Sequence, residues 1–336
     1  GQLVHYRLTG VDSAGNVSLP SASASVTVGI TATRLSGDNR YATAIASSQG
    51  AFASAQDIIL ATGQAYPDAL AASALAGVLH APVLLTRHDM LSAEVLAEID
   101  RLGARRVVIV GGDTAVGPDV ERTLHAAGLY TRRLAGADRY ATAALIAEET
   151  KRVRVGTTLP GTALVVRGDD FPDALAIAPV AYAATTPVLL VRPGDVPAAT
   201  GAALASGGYS AAVVVGGVGA ISQSTANALG VPFERVQGND RFATSAAFAE
   251  WATGRGVAGF RTLALATGSA FPDALGGGAA TGEAGGVLLL TAHDLLSPAL
   301  EPVLAAHAGE LEFLNIYGGP SAVSSAVMDR AVQLLR

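Results

Sequence analysis

The sequence predicts an α/β protein built from three tandem doubly wound units, each with a parallel sheet. The first observation is repetition: four short strings return in the same order with a period of about 100 residues along the 336 of the chain. RLSGDNRYATA (34–44) returns as RLAGADRYATA (133–143) and RVQGNDRFATS (235–245). ATGQAYPDAL (61–70) returns as VRGDDFPDAL (166–175) and ATGSAFPDAL (266–275), and PVLLT (82–86) as PVLLV (187–191) and VLLLT (287–291). VVIVGGDTAV (107–116) returns as AVVVGGVGAI (212–221) and LNIYGGPSAV (314–323). The second observation is alternation: short, continuous apolar runs are separated by stretches with helical spacing, the pattern of strands buried on both faces by crossover helices.

The copies span 31–132, 133–234 and 235–336. In the first, RLSGDNRYATA supplies the first strand and helix start, and 58–61, 83–86 and 107–110 read as further strands. Helices are expected over 41–52, 68–79, 93–102 and 118–127, with right-handed crossovers. Ser92 caps one helix and Gly103 stops it, and Ser297 followed by Pro298 repeats the starting device in the third copy. Residues 1–30 differ in kind: alternating strand residues flank a Gly-Asn turn and resemble the last two strands of a fibronectin type III domain. Thirty residues cannot close that sandwich, so they read as a hairpin or linker from an upstream module of a longer polypeptide.

Composition narrows the function. Half of the residues are hydrophobic and 15% charged, as in a globular chain with real cores. The lack of cysteine excludes disulfides, thiol catalysis and cysteine-based zinc sites. The longest apolar stretch, 69–85, is broken by Ser73, Gly77, His80 and Pro82 and falls short of the roughly 20 residues of a membrane span. No secretion signal is visible at the start. A net charge of −6 argues against a nucleic-acid partner. Basic against acidic residues count 8 to 10, 7 to 8 and 6 to 9 in the three copies, so an anionic ligand would need arginines gathered on one face.

The repeated residues offer four candidate features. Pro67 and Asp68 open a helix after a strand and a Thr-Gly turn, as do Asp173 and Asp273 with their prolines. The carboxylate complements the helix dipole, orients an arginine, or faces a ligand at the carboxyl edge of the sheet. Arg40, Arg139 and Arg241 hold fixed places, whereas Asp38, Asp138 and Asp240 slide by one, as capping acids can. Each of these arginines either pairs bidentately with the aspartate of its own copy or reads a phosphate or uronate. Arg34, Arg133 and Arg235 recur at a strand end and complete a two-arginine patch. Gly111 and Gly112, Gly216 and Gly217, and Gly318 and Gly319 join a strand to a helix, in a turn that brings amides toward an anion or is simply tight.

No copy completes G-x-G-x-x-G with a following acid, so no dinucleotide cofactor is expected. No metal is expected either, because no second carboxylate or histidine accompanies the aspartate in all copies. The G-x-S-x-G, P-loop and H-E-x-x-H patterns are missing. His88 and His293 align, with Gly194 in the second copy. The shared polar side chains are Arg, Asp and Thr, which gives no acid–base pair for catalysis, and no enzyme activity is expected.

As a set, RLxGxxRYATA, ATGxxYPDAL, PVLLT and VVIVGG resemble the cell wall binding repeat 2 family over 31–336. The resemblance implies Rossmann-like modules in a pseudo-threefold trimer within one chain. It also implies non-covalent anchoring of a surface or secreted protein to the Gram-positive wall, outside the cell, through an anionic secondary wall polymer, teichoic-acid-like or an acidic polysaccharide. Enzyme activity in such proteins lies in other modules. The family's Ile-Leu-Leu motif matches Val83, Leu84 and Leu85, then Val188, Leu189 and Leu190, then Val287, Leu288 and Leu289, whose importance is read as packing. The third copy departs from the pattern, with Gly286 for the proline and ALGGGAATGEAGG for an alanine-rich helix surface. In the second copy Arg167, Asp169 and Asp170 add charge to the Thr-Gly loop. The rival functions are an enzyme acting on wall glycans or sugar phosphates, and a self-assembling structural module of a surface layer.

Overall fold

The computed structural model describes residues 2–170 and 172–335, by backbone alone at 2–6, 24–28 and 172. Gln2–Tyr6 and Ala24–Val28 pair antiparallel, apart from the rest. The remainder forms three parallel four-stranded sheets. The first has the order Val83–Thr86, Asp57–Thr62, Arg106–Val110, Tyr130–Leu134. The second runs Val188–Val191, Thr162–Arg167, Ala211–Val215, Phe233–Val236, and the third Val287–Thr291, Thr262–Thr267, Phe313–Tyr317, Thr31–Leu35.

That order corrects the role of the arginine-leucine strand. It is the last strand of the preceding sheet, not the first of its own: Tyr130–Leu134 completes the first sheet and Phe233–Val236 the second. Thr31–Leu35, at the head of the repeats, pairs with Phe313–Tyr317 and completes the third. The chain is thereby closed into a ring.

Strands and helices otherwise lie close to their expected places. The helix expected over 68–79 is broken at Ala72 into Pro67–Ala71 and Ser73–Leu79. Ser297 and Pro298 form a turn, and the helix after them starts later, as Glu301–His307 with its own proline in the first turn. Sheet register corrects two alignments. Thr291 stands opposite Thr267 as Thr86 stands opposite Thr62, so Val83, Leu84 and Leu85 correspond to Leu288, Leu289 and Leu290, and Val287 replaces Pro82. Pro193, not Gly194, takes the place of His88 and His293: its carbonyl accepts from Ser222 as theirs do from Gly117 and Ser324. All nine residues of the corrected apolar motif are buried, in strands covered on both faces.

The units meet around a pseudo-threefold axis, where Ser73–Leu79, Ala178–Ala184 and Pro272–Glu283 pack together. Tyr182 of the second copy, 3% exposed, fills the middle. A β-carbon at Gly77 would lie 2.0 Å from the Tyr182 carbonyl oxygen, and one at Gly282 would lie 2.5 Å from the Tyr182 β-carbon. Glycine at both places lets the three helices approach. This accounts for much of the glycine-rich run of the third copy, where Gly276 lies against Ala44 and Gly278 against Ala178. The Tyr182 hydroxyl donates to Glu283 at 2.6 Å, and His80 Nδ1 lies 3.3 Å from the same carboxylate, so each copy contributes one polar group to the axis. No helix among the described residues is long and apolar enough to cross a membrane.

Candidate functional site

The strand exchange decides where the repeated motifs meet. Each Pro-Asp helix starts at the carboxyl edge of its sheet, and the next copy's first helix begins at that same edge because the chain has just left the sheet's last strand. Pro67–Ala71 therefore packs on Arg139–Val153, Pro172–Leu175 on Arg241–Gly254, and Pro272–Glu283 on Arg40–Ala51. Three seams result, related by the pseudo-threefold axis.

Each seam is assembled from three motifs. The aspartate lies against the first glycine of the glycine pair: a β-carbon at Gly111, Gly216 or Gly318 would lie 2.6, 2.8 or 2.5 Å from Oδ2 of Asp68, Asp173 or Asp273. These glycines also have φ of 103°, 115° and 100°, so close approach and backbone conformation both demand glycine. The second glycines, Gly112, Gly217 and Gly319, have ordinary φ, and Gly217 lines the seam. From the next copy comes a threonine: Thr43 hydrogen-bonds to Asp273 and Thr244 to Asp173. The same hydroxyls accept the backbone N–H of Gly37 and Gly238, at 3.2 and 3.1 Å, and Thr142 accepts that of Gly136 at 3.0 Å. Each threonine thus fixes its own helix start and, in two seams, reaches the neighbouring copy. It recurs in all three strings, which was the signal for it.

The first helices are capped at one alignment position, by Asn39, Asp138 and Asp240. The capping group does not slide; the amide of Asn39, not Asp38, does the work in the first copy.

The arginines do not pair with the aspartates of their own copies. Arg40, Arg139 and Arg241 donate through Nη1 to the carbonyl oxygens of Gly63, Gly168 and Gly268, at 2.5, 2.8 and 2.6 Å. The charge they present is felt instead by the preceding copy: Arg139 acts on Asp68, Arg241 on Asp173 and Arg40 on Asp273. Among the described residues no ion pair joins any of these arginines to any of these aspartates. Burial dominates the carboxyls: it pushes Asp68 up to about 6, against the pull of Arg139. Asp173 and Asp273 are also raised by burial, against the hydrogen bond from threonine and the neighbouring arginine. Toward the axis Arg40 lies over the ring of Phe271, 5.8 Å from its centroid, and Phe271 meets Tyr66 at 5.9 Å.

Arg34, Arg133 and Arg235 have a different task. Each donates to the first glycine of a glycine-pair loop, Gly318 at 2.8 Å, Gly111 at 3.0 Å and Gly216 at 2.8 Å, and so fixes the loop that faces the aspartate. His88 and His293 touch the same loops, through the carbonyls of Asp113 and Pro320.

The seam between the second and third copies holds a cavity of about 270 Å³, lined among others by Arg167, Asp170, Asp173, Gly217, Arg241 and Thr244. Two guanidinium groups, Arg167 and Arg241, and three carboxylates, Asp170, Asp173 and the capping Asp240, thus share one opening at the mouth of a helix N-terminus, an arrangement suited to hydrogen-bonding a charged or hydroxyl-rich ligand. Among the described residues no group of three or more His, Asp or Glu side chains is placed to hold a metal ion.

Comparison with known proteins agrees with the architecture. The chain is 29% identical over 297 residues to the N-acetylmuramoyl-L-alanine amidase LytC of Bacillus subtilis, covering 88% of this chain and 57% of that one. It is 34% identical over 164 residues to the Amidase enhancer of the same organism, covering 49% and 22%. It therefore spans less than two thirds of either relative. Among solved structures, Cwp8 from Clostridium difficile superposes with a TM-score of 0.78 at 26% identity, over 90% of this chain and 52% of that one. Cwp6 from the same organism gives 0.79 at 22%, over 98% and 51%, and shares the fold. The model of the family described as cell wall binding domain 2 matches three times, at 34–121, 133–226 and 235–328. Three matches in tandem, on three units closed into one ring, make the chain a member of the cell wall binding domain 2 family.

Proposed function

We propose that the chain anchors a larger protein to the Gram-positive cell wall, without a covalent bond, by holding an anionic wall polymer, teichoic-acid-like or an acidic polysaccharide. The observation that carries this is the threefold recurrence of one seam. At each, the arginine and helix N-terminus of one copy meet the carboxyl edge of the preceding sheet, so three like-facing positions surround one axis. A repetitive polymer can engage several at once, and linked weak sites raise apparent affinity by roughly 10² to 10⁴. The three copies are each slightly acidic, so attraction depends on the local arginines gathered at the seams. The chain itself is a binding module, and any hydrolytic activity belongs to other parts of the polypeptide.

The experiment is sedimentation of the purified chain with wall sacculi, before and after chemical removal of phosphate-containing and acidic polymers. Retention on intact walls and loss on stripped walls is expected; equal retention on both overturns the anionic-polymer reading.

A further inference from the structure

The three loop-holding arginines are equivalent in sequence and unequal in surroundings. In the first copy Arg133 donates to the carbonyls of Gly111 and Val116 through Nη1, and its other edge is occupied by a carboxylate. Nε and Nη2 meet Glu121 Oε2 at 3.3 and 2.9 Å. The helix that follows the glycine pair fixes the correspondence. Gly117, Ser222 and Ser324 are its N-caps, so Glu121 is matched by Ala226 in the second copy and Met328 in the third. In the third copy Arg34 Nη2 lies 3.8 Å from the Met328 sulfur. In the second, Arg235 keeps only the bond to Gly216, and its Nε and Nη2 are buried with no hydrogen-bond partner. Two buried donors on a cation carry a large penalty unless something accepts from them.

We propose that the Nε and Nη2 edge of Arg235 is a binding position for a small oxyanion, a phosphate or a carboxylate, which sits where Glu121 places its own carboxylate in the first copy. The first copy supplies the template: the same edge of the same arginine, at the same point of the same fold, takes one carboxylate oxygen on two nitrogens. Ala226 stands where the first copy has Glu121, so the helix itself offers no carboxylate to that edge. Burial alone acts on Arg235, pulling it below the ordinary guanidinium range, and no carboxylate offsets it. The loop that Arg235 holds continues into Gly217, Gly219 and Ala220, which line the cavity of the adjacent seam. Entry requires movement of the covering segment, and the helix carrying Ala226, Gln223–Asn227, is five residues long against nine and ten in the other copies. The position itself rests on this geometry; that the oxyanion belongs to a wall polymer rests on the anchoring reading.

The test uses the full chain and inorganic phosphate against chloride at matched ionic strength. Phosphate raises the melting temperature of the wild type in a concentration-dependent way, by about 2 °C or more at saturation, and broadens its own phosphorus NMR line. Ala226→Glu supplies the first copy's internal carboxylate and removes both effects; Arg235→Lys keeps the charge, loses the two-nitrogen edge and removes them as well. No response in the wild type, or an undiminished response in either folded variant, overturns the proposal. Sedimentation with sacculi is read separately: wall retention without any phosphate response overturns this position and leaves anchoring standing.

Discussion

Thr244 holds Asp173 across the boundary between the second and third copies, its hydroxyl engaged at once with that carboxylate and with the N–H of Gly238 in its own helix start. Thr43 does the same for Asp273 across the boundary where the ring closes. One short polar side chain therefore couples the start of a copy to the carboxyl edge of its neighbour, and the seams are both structural joints and the proposed binding positions.

Asp68 gives a pH signature. Its folded-state value is raised from 3.8 to about 6, so the unfolded chain ionises first as pH rises. The sign follows: well below 3.8 the group is neutral in both states, and stability falls as pH rises from there through 6. Asp68→Asn is expected to remove that loss. At pH 7 the variant should be more stable than wild type by on the order of 2 kcal/mol, and at a pH well below 3.8 the two should coincide, as urea unfolding at the two pH values would reveal.

The axis is expected to tolerate no added volume at Gly77. Gly77→Ala places a methyl group 2.0 Å from the Tyr182 carbonyl oxygen, against backbone that cannot swing aside. A loss of about 3 kcal/mol is expected in denaturant unfolding. Tyr182→Ala would not rescue it, because the obstructing atom is main chain.

Removal of the arginine trio tests the seams as binding positions. Arg40→Met, Arg139→Met or Arg241→Met alone should lower retention on walls modestly, and the triple variant by roughly 10². Retention of the wild type should also weaken with added salt. Unchanged retention of a folded triple variant would remove these arginines from the binding site.

Deletion of residues 1–35 strips the third sheet of its edge strand and exposes the backbone of Phe313–Tyr317. An unpaired edge invites another chain. The shortened protein is expected to oligomerise or to be cleaved by protease within its last hundred residues or so, measured by light scattering and by mapping the limited-proteolysis products.

Much of this was legible in the sequence. The continuous apolar runs announced buried parallel strands, and Pro67 with Asp68 announced a helix start that stands where expected. What the sequence withheld was the partner of each repeated residue. In a tandem repeat, a contact within one copy and a contact with the next copy leave the same periodic pattern. Pairing Arg40 with Asp68 or with Asp273 was therefore equally consistent with the spacing. The same degeneracy hid the strand exchange, because an arginine-leucine strand precedes its helix whichever sheet it joins. Departures from the repeat carried the resolving information: the third copy's glycines are matched to Tyr182, and Ala226 to a bare arginine edge. Residues such as Asn39 were overlooked because an amide and an acid cap a helix alike.

The exchange of the last strand also fixes how many copies the protein can have. In an open array a repeat can be lost or gained at an end, and the survivors keep their own sheets. Here Thr31–Leu35 belongs to whichever copy comes last, and that copy must lie beside the first. Two copies could not bring those ends together around this axis, and a fourth would find its place already taken. Copy number is set by geometry in the way that a ring has a size.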